Sequence, residues 1–384
     1  MKIVYCLIDS SQSGGMERSI CSKANYLADV MGYDVTIITT DRKDKANFFD
    51  FSSLIKFFDL EINYNELESL PIYKSLPTQL KKRRLHYLRL EAVLNEIKPD
   101  ISISTYTHEL SILSEIKDGS KKIAEIHFSK PYKSIEYKSN SIPLLKRVIA
   151  IAGEKRKHGY INKYDAFVVL TEEDRIRWSE VKNVKVIPNS LSFYPLTQSL
   201  CTEKRVISVG RLTRQKGYPF LIEAWQIVAG KYPEWKLTIF GEGEDKEMLQ
   251  RMIQKAELNY SISVYPPTNN IVQEYLNSSV YVMSSIYEGF GLVLAEAMAC
   301  GLPCISFDCP SGPSEIIKDG EDGFLVETEN IDELAQKIIL LIKNEDLRIE
   351  MGQKAKVNSQ RFLPKYIMPK WISLFNEVVK ENSK

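Results

Sequence analysis

Short apolar runs of strand length alternate with segments of helical period along most of this chain, and the alternation begins twice. KIVYCLI is a strand, GGMERSICSKANYLADVMG a helix ending at Gly32, and YDVTIITT the next strand. DISIST (100–105), KIAEIHF (122–128) and DAFVVL (165–170) extend the set, and VKVIPNS closes it. RVISVG then restarts the pattern, followed by the helix FLIEAWQIVAG, the strands KLTIFG and SISVY, the helix IVQEYLNSS and the strand VYVMSS. Strands separated by helices pair in parallel through crossovers and bury both sheet faces. The expected fold class is therefore α/β, with two doubly wound domains at residues 1–190 and 191–362. The polar, proline-containing stretch from Pro188 to Lys204 is the expected connection. A last amphipathic segment carries Trp371, Leu374, Phe375 and Val378.

Length and charge narrow the function classes. At 384 residues each domain can bury a substantial core, and 44% hydrophobic with 26% charged residues is a globular composition. A net charge of +1 argues against a bulk nucleic-acid binder. The charge is uneven, because residues 81–160 hold 17 basic against 9 acidic side chains. KKRRLHYLRL (81–90) and LLKRVIAIAGEKRKHGY (144–160) interleave these cations with apolar residues, a pattern that suits a helix lying on an anionic membrane surface. An ordinary solvated helix face is the competing reading. No run approaches the roughly 18 apolar residues of a transmembrane helix, and MKIVYCLIDS is too short in its apolar core for a signal peptide. Six cysteines without a CxxC pair, and few histidines, argue against a structural zinc site and fit a reducing cytoplasm.

The segment SSIYEGFGLVLAEAMACGLPCISFDC (284–309) carries the densest chemistry. Gly289, Phe290 and Gly291 open a helix expected to start near Gly289, so their amides stay free where the dipole attracts phosphate or sugar oxygens. Glu288 stands just before this helix and Glu296 is expected two turns along it. Either could be an ordinary surface charge, yet Glu296 lies among Leu294, Ala295, Ala297, Met298 and Ala299, where a carboxylate needs a partner. Two such carboxylates can hold hydroxyls of one elongated ligand whose phosphates lie over the helix start.

Other candidates follow strands. Gly210, Arg211 and Lys216 in VGRLTRQKG place two cations after RVISV, where fixed charge can stabilise a leaving oxyanion. Gly14 and Gly15 lie between the first strand and its helix, either as a tight turn or to admit a ligand close to the backbone. Gly241 and Gly243 read as a turn, since Glu242, Glu244 and Asp245 would repel a pyrophosphate. His127 lies at the end of KIAEIHF, a place where a lone histidine is commonly structural.

The E-x7-E spacing within EGFGLVLAEAMACGLPCI resembles the hallmark of retaining glycosyltransferases of family 4, which have the GT-B fold. SQSGGMER, EIHFS, SVGRLTRQKG and GPSEIIKDGEDGFLV support the resemblance in the family's order across nearly the whole chain. It implies two Rossmann-like domains facing a cleft, acceptor-side first and nucleotide-sugar-binding second, with the last helix (363–384) crossing back to the first. It implies that Glu288 holds the donor sugar's hydroxyls, Glu296 the ribose, Arg211 and Lys216 the diphosphate, and the amides of Gly289 to Leu292 the sugar and phosphate. By the same resemblance Gly14 and Gly15 face the diphosphate or the acceptor, and His127 lies beside the transferred sugar, acting through its side chain or its carbonyl. No covalent nucleophile is evident.

The activity so implied is transfer of a hexose or N-acetylhexosamine from a UDP-sugar substrate to a glycan hydroxyl, giving an α linkage without a metal or other cofactor. VIPNSLSF and FDCPSGPSEII resemble stretches of bacterial galactosyl- and N-acetylgalactosaminyltransferases, which implies a galacto-configured donor and a polyprenyl-diphosphate-linked acceptor. The location so implied is cytoplasmic, peripheral on the inner face of the plasma membrane. A nucleotide-sugar epimerase, a phosphorylase, or a non-catalytic partner protein of the same fold are the rival readings.

Overall fold

The alternating runs become two all-parallel sheets. A computed structural model describes residues 1–43, 45–67, 70–130, 153 and 156–380. The chain divides into two compact units, Met1–Ser190 with Ile367–Lys384, and Leu191–Tyr366.

The first unit has strands β1 (Lys2–Leu7), β2 (Asp34–Thr39), β3 (Lys56–Asp59), β4 (Ile101–Ser104), β5 (Lys121–Glu125), β6 (Ala166–Val169) and β7 (Val184–Val186), in the order β3-β2-β1-β4-β5-β6-β7. Among its helices are α1 (Gly15–Asn25), α2 (Ile72–Ile97), α3 (Glu109–Leu113) and α4 (Glu172–Arg177). Ile3 pairs with Val35 on one side and Ile101 on the other, both in parallel. Alternate residues of β1 feed different cores: Ile3, Tyr5 and Leu7 join one cluster, Val4 and Cys6 the other. That two-faced burial is why KIVYCLI reads as a continuous apolar run.

The second unit repeats the plan with β8 (Arg205–Val209), β9 (Lys236–Phe240), β10 (Ile262–Tyr265), β11 (Val280–Met283), β12 (Cys304–Phe307) and β13 (Gly323–Val326), in the order β10-β9-β8-β11-β12-β13. Around them lie α5 (Tyr218–Lys231), α6 (Lys246–Lys255), α7 (Ile271–Leu276), α8 (Leu292–Ala299), α9 (Pro313–Ile316), α10 (Ile331–Lys343) and α11 (Glu345–Ser359). In both sheets the strand order reverses at the first strand of the unit. Ligands of open α/β sheets bind beyond the carboxyl ends of the strands at such a switch. The loops after β1 and β4, and after β8 and β11, therefore occupy the privileged positions.

The last helix, α12 (Pro364–Lys380), crosses the unit boundary at Ile367. Ile367, Met368, Trp371, Leu374, Phe375 and Val378 recur at helical spacing and enter the core cluster of the first unit.

Three expectations need correction. The helix that should run to Gly32 leaves α geometry after Asn25 and finishes as a π-turn over Tyr26–Val30. Met31 N donates to Tyr26 O at 3.2 Å, and the wider turn seats Leu27 and Ala28 in the core. β5 stops at Glu125, so His127 lies two residues past the strand instead of within it. β3 and β13 were not anticipated, because KFFD has only two apolar residues between charges and GFLV only three after a turn-forming glycine. The basic segment 81–90 falls inside α2, whereas most of 144–160 lies outside the described residues.

Candidate active site

Two loops of the second unit build the site. One runs from Gly210 to Gly217 after β8, the other from Ser284 to Gly291 after β11, and hydrogen bonds hold them together. Ile286 N donates to Gln215 O (2.9 Å), Gln215 Nε2 to Tyr287 O (3.0 Å), and Ser284 Oγ to Lys216 O (2.9 Å). Gly217 is in the left-handed region (φ +58°), and a Cβ there would lie 2.1 Å from Ser284 O, so only glycine permits the approach. Gly210 leaves room for the stem of Lys216, whose Cδ is 3.2 Å from where a Cβ would stand.

The result is a close ion pair. Lys216 Nζ lies 2.5 Å from Glu288 Oε1, and both side chains are largely buried. Arg211 is exposed, with Nη2 3.4 Å from Gln215 Oε1. Its loop is buttressed by the turn after β9: Leu212 N donates to Glu242 O and Asp245 N to Leu212 O, each at 2.9 Å. A side chain at Gly241 or Gly243 would strike Gly210 O or Leu212 O, at 2.0 and 2.3 Å. These glycines serve backbone packing, in keeping with the turn read from their acidic neighbours.

Gly291 (φ +89°) opens α8 in the left-handed region. Among the described residues the amides of Gly289, Phe290 and Gly291 meet no backbone carbonyl, while Glu288 N is fixed by Pro310 O at 2.8 Å. Because α8 begins at Leu292, Glu296 stands one turn in, not two. It is buried as its apolar helix requires, and Ser192 Oγ donates to its Oε1 at 3.3 Å. Thr213 Oγ1 and Ser285 Oγ are buried without a hydrogen-bond partner among the described residues. An unmet buried hydroxyl costs about 1–3 kcal/mol, which a ligand oxygen can recover.

Arg211, Lys216, Glu288 and the amides before Leu292 thus come together in one unit. Gln215, Gly217, Ser284 and Ser285 complete the surroundings and escaped the sequence reading.

Gly14, Gly15 and His127 belong to the first unit. Neither glycine has a positive φ, and no atom lies within 4 Å of a Cβ built on Gly15, so the protein does not demand a glycine there for its own turn. The open space suits close approach of a ligand to the backbone. His127 Nε2 lies 3.2 Å from Glu125 Oε1, and its Nδ1 is buried with no hydrogen-bond partner among the described residues.

Two doubly wound parallel sheets in one chain are the GT-B architecture of glycosyltransferases. A Staphylococcus aureus TarM variant in complex with fondaparinux, alpha-GlcNAc-glycerol and UDP superimposes with a TM-score of 0.80, covering 98% of this chain and 99% of that one at 20% identity. A sequence profile described as Glycosyl transferases group 1 matches residues 198–358. An uncharacterized glycosyltransferase of Haemophilus influenzae is 30% identical over 380 residues, 96% of this chain and 98% of its own. A Campylobacter jejuni alpha-1,4-N-acetyl-D-galactosaminyltransferase named for a diNAcBac-PP-undecaprenol-linked acceptor is 26% identical over 385 residues, 98% of this chain and 99% of that one. The chain belongs to the group 1 glycosyltransferases.

Proposed function

We propose that this protein is a retaining transferase that moves a hexose or N-acetylhexosamine, galacto-configured, from a UDP-sugar to a hydroxyl of a polyprenyl-diphosphate-linked glycan during surface-polysaccharide or lipid-linked glycan assembly. The observation that carries the reading is the Lys216–Glu288 pair beside exposed Arg211 and the free amides before α8. Cations, amide dipoles and a carboxylate converge at a sheet switch point, as a sugar diphosphate requires. The Campylobacter relative, similar over its full length, supports the acceptor class and the sugar.

In the proposed step the bond from the sugar C1 to the β-phosphate oxygen breaks, and a bond from C1 to the acceptor oxygen forms on the same face. UDP leaves with the electron pair, and its phosphate takes the acceptor's proton. Arg211 and Lys216 stabilise the departing diphosphate, Glu288 the sugar hydroxyls and the positive charge at C1, and Glu296 the ribose. On this reading fixed cations supply the charge that a metal would otherwise bring.

Outside the site, α2 offers an anionic membrane surface a docking face. Leu80, Arg84 and Leu88 form one exposed row, with Lys81 and Leu85 beside it. Lys82, Arg83 and Arg89 are instead held by Ile62 O, Glu115 and Leu60 O.

The test is product-resolved mass spectrometry with a UDP-sugar panel and lipid-linked acceptors, with and without EDTA. The acceptor is expected to gain one hexose or N-acetylhexosamine, undiminished by EDTA and lost in Glu288→Ala. Lys216→Ala should cost about 2–4 kcal/mol of transition-state stabilisation, roughly 30- to 1000-fold in rate. Wild-type turnover in a folded Lys216→Ala protein would remove the mechanism. Saturable UDP binding with no acceptor extended by any donor would favour a non-catalytic partner.

A further inference from the structure

β5 ends on Glu125, whose side chain is 1% exposed and whose two oxygens have separate partners. Lys23 of α1, also buried, donates to Oε2 in an ion pair. His127 Nε2 faces Oε1 at 3.2 Å. The Lys23 ammonium lies 3.8 Å over the ring of Trp371 on α12 and 5.3 Å from the ring centre of Tyr5 on β1. Four elements of the first unit thus converge on one buried ion pair.

Stability does not explain such a cluster. Desolvating two charges costs several kcal/mol each, and well-packed apolar residues often replace a buried ion pair at no loss. Tyr5 and Trp371 already supply apolar walls for such a replacement. The chemistry explains more. Burial alone raises the Glu125 carboxyl, but the Lys23 charge and the His127 hydrogen bond outweigh it and bring it to about 2. The group is therefore a carboxylate, which only accepts, so Nε2 of His127 must carry the proton it donates. In the neutral ring Nδ1 keeps its lone pair, and it is buried without a partner among the described residues. It lies two residues beyond the carboxyl end of β5, the edge of an α/β sheet at which ligands bind.

We propose that Lys23 and Glu125 are positioning residues that lock His127 in the Nε2–H tautomer, so that Nδ1 accepts a hydrogen bond from a hydroxyl of a sugar substrate. His127 then acts through its side chain, and Trp371 makes the returning helix part of the device by seating Lys23. The inference rests on the transferase reading for the identity of the hydroxyl, while the tautomer itself does not.

The decisive variant is Glu125→Gln. Lys23 can only donate and so claims the amide oxygen, which turns the amide NH₂ toward Nε2 and drives the histidine proton to Nδ1. Nitrogen NMR of histidine-labelled protein, with the His127 signals assigned by their loss in His127→Gln, is expected to show Nε2–H in the wild type and Nδ1–H in Glu125→Gln. Transfer should fall about 10- to 100-fold in the variant, as when a partner that orients a functional histidine is removed, while UDP binding by calorimetry stays within about twofold. Lys23→Arg should retain more activity than Lys23→Met. Slow donor hydrolysis without acceptor separates the two sources of the hydroxyl: it falls in parallel if the hydroxyl is the donor's and persists if it is the acceptor's. The combined Lys23→Met/Glu125→Leu variant checks folding, and is expected to melt near the wild-type temperature yet transfer poorly. Nδ1–H in the wild type, or wild-type turnover by that folded double variant, would overturn the proposal. A wild type that transfers no sugar would sink the transferase reading and leave the tautomer result standing.

Discussion

Lys216 and Glu288 are 72 positions apart in sequence and 2.5 Å apart in space, so the pair exists only because the two loops meet. On the proposed reading a donor diphosphate would share Lys216 with Glu288, whereas Arg211 is exposed. Elsewhere a buried histidine contributes to the response to acid. His86 of α2 is buried, and burial, reinforced by the charge of His108, pushes its imidazole down to about 3. Its Nδ1 meets Tyr64 Oη at 3.2 Å. An unfolded chain takes up the proton near pH 6.5 that the folded protein refuses until about 3, so stability falls as pH drops through that window. One proton contributes about 1.4 kcal/mol per pH unit. Urea unfolding of His86→Gln, which keeps an acceptor for Tyr64, should show an acid limb shallower by roughly that slope. A slope identical to the wild type between pH 6 and 4 would assign the acid sensitivity to other groups.

At the scale of elements, α2 shows what periodicity reveals and what it hides. Between Ile72 and Leu90 there is no acidic residue, and this charge run was legible at once. Which cations face outward was not, since that depends on carbonyls of Leu60 and Ile62 and on Glu115. Lys81→Ala/Arg84→Ala should therefore weaken binding to phosphatidylglycerol vesicles by about 2 kcal/mol, roughly 30-fold, since each basic residue near such a surface is worth about 1 kcal/mol. Leu80→Glu/Leu88→Glu should abolish it, and neutral phosphatidylcholine vesicles should bind neither. Flotation that is equal for wild type and both variants would refute the docking face. The same division runs through the site. Glu288, Arg211 and Lys216 could be picked out because their types and spacing sit at strand ends. The lock between Gly217 and Ser284 could not, because it joins loops brought together only by the pairing of β8 with β11. The end of β5 at Glu125 was equally hidden, since IHF continues an apolar pattern after the ladder has stopped.

Over the whole molecule the repeated strand order was readable from a pattern that starts twice, and the edge strands β3 and β13 and the π-turn were not, being fixed by tertiary packing alone. The course of α12 ties sequence end to sequence start. Phe375 is fully buried in a cluster with Ile3, Tyr5, Ile20 and Val35, so the last helix completes the core of the first unit. Truncating a buried phenylalanine typically costs about 3–5 kcal/mol, from lost transfer energy and the cavity left behind. The cores of the two units draw on separate residues, with Val206, Leu221, Trp225 and Ile305 in the second. Phe375→Ala should therefore loosen the chain unevenly. Hydrogen exchange read by mass spectrometry is expected to speed up in β1, β2 and β4 while β8, β9 and β11 keep their protection, because local openings follow cooperative units. Equal loss of protection in both sheets would mean that the units unfold as one, and that the C-terminal helix supports the second unit as much as the one it packs into.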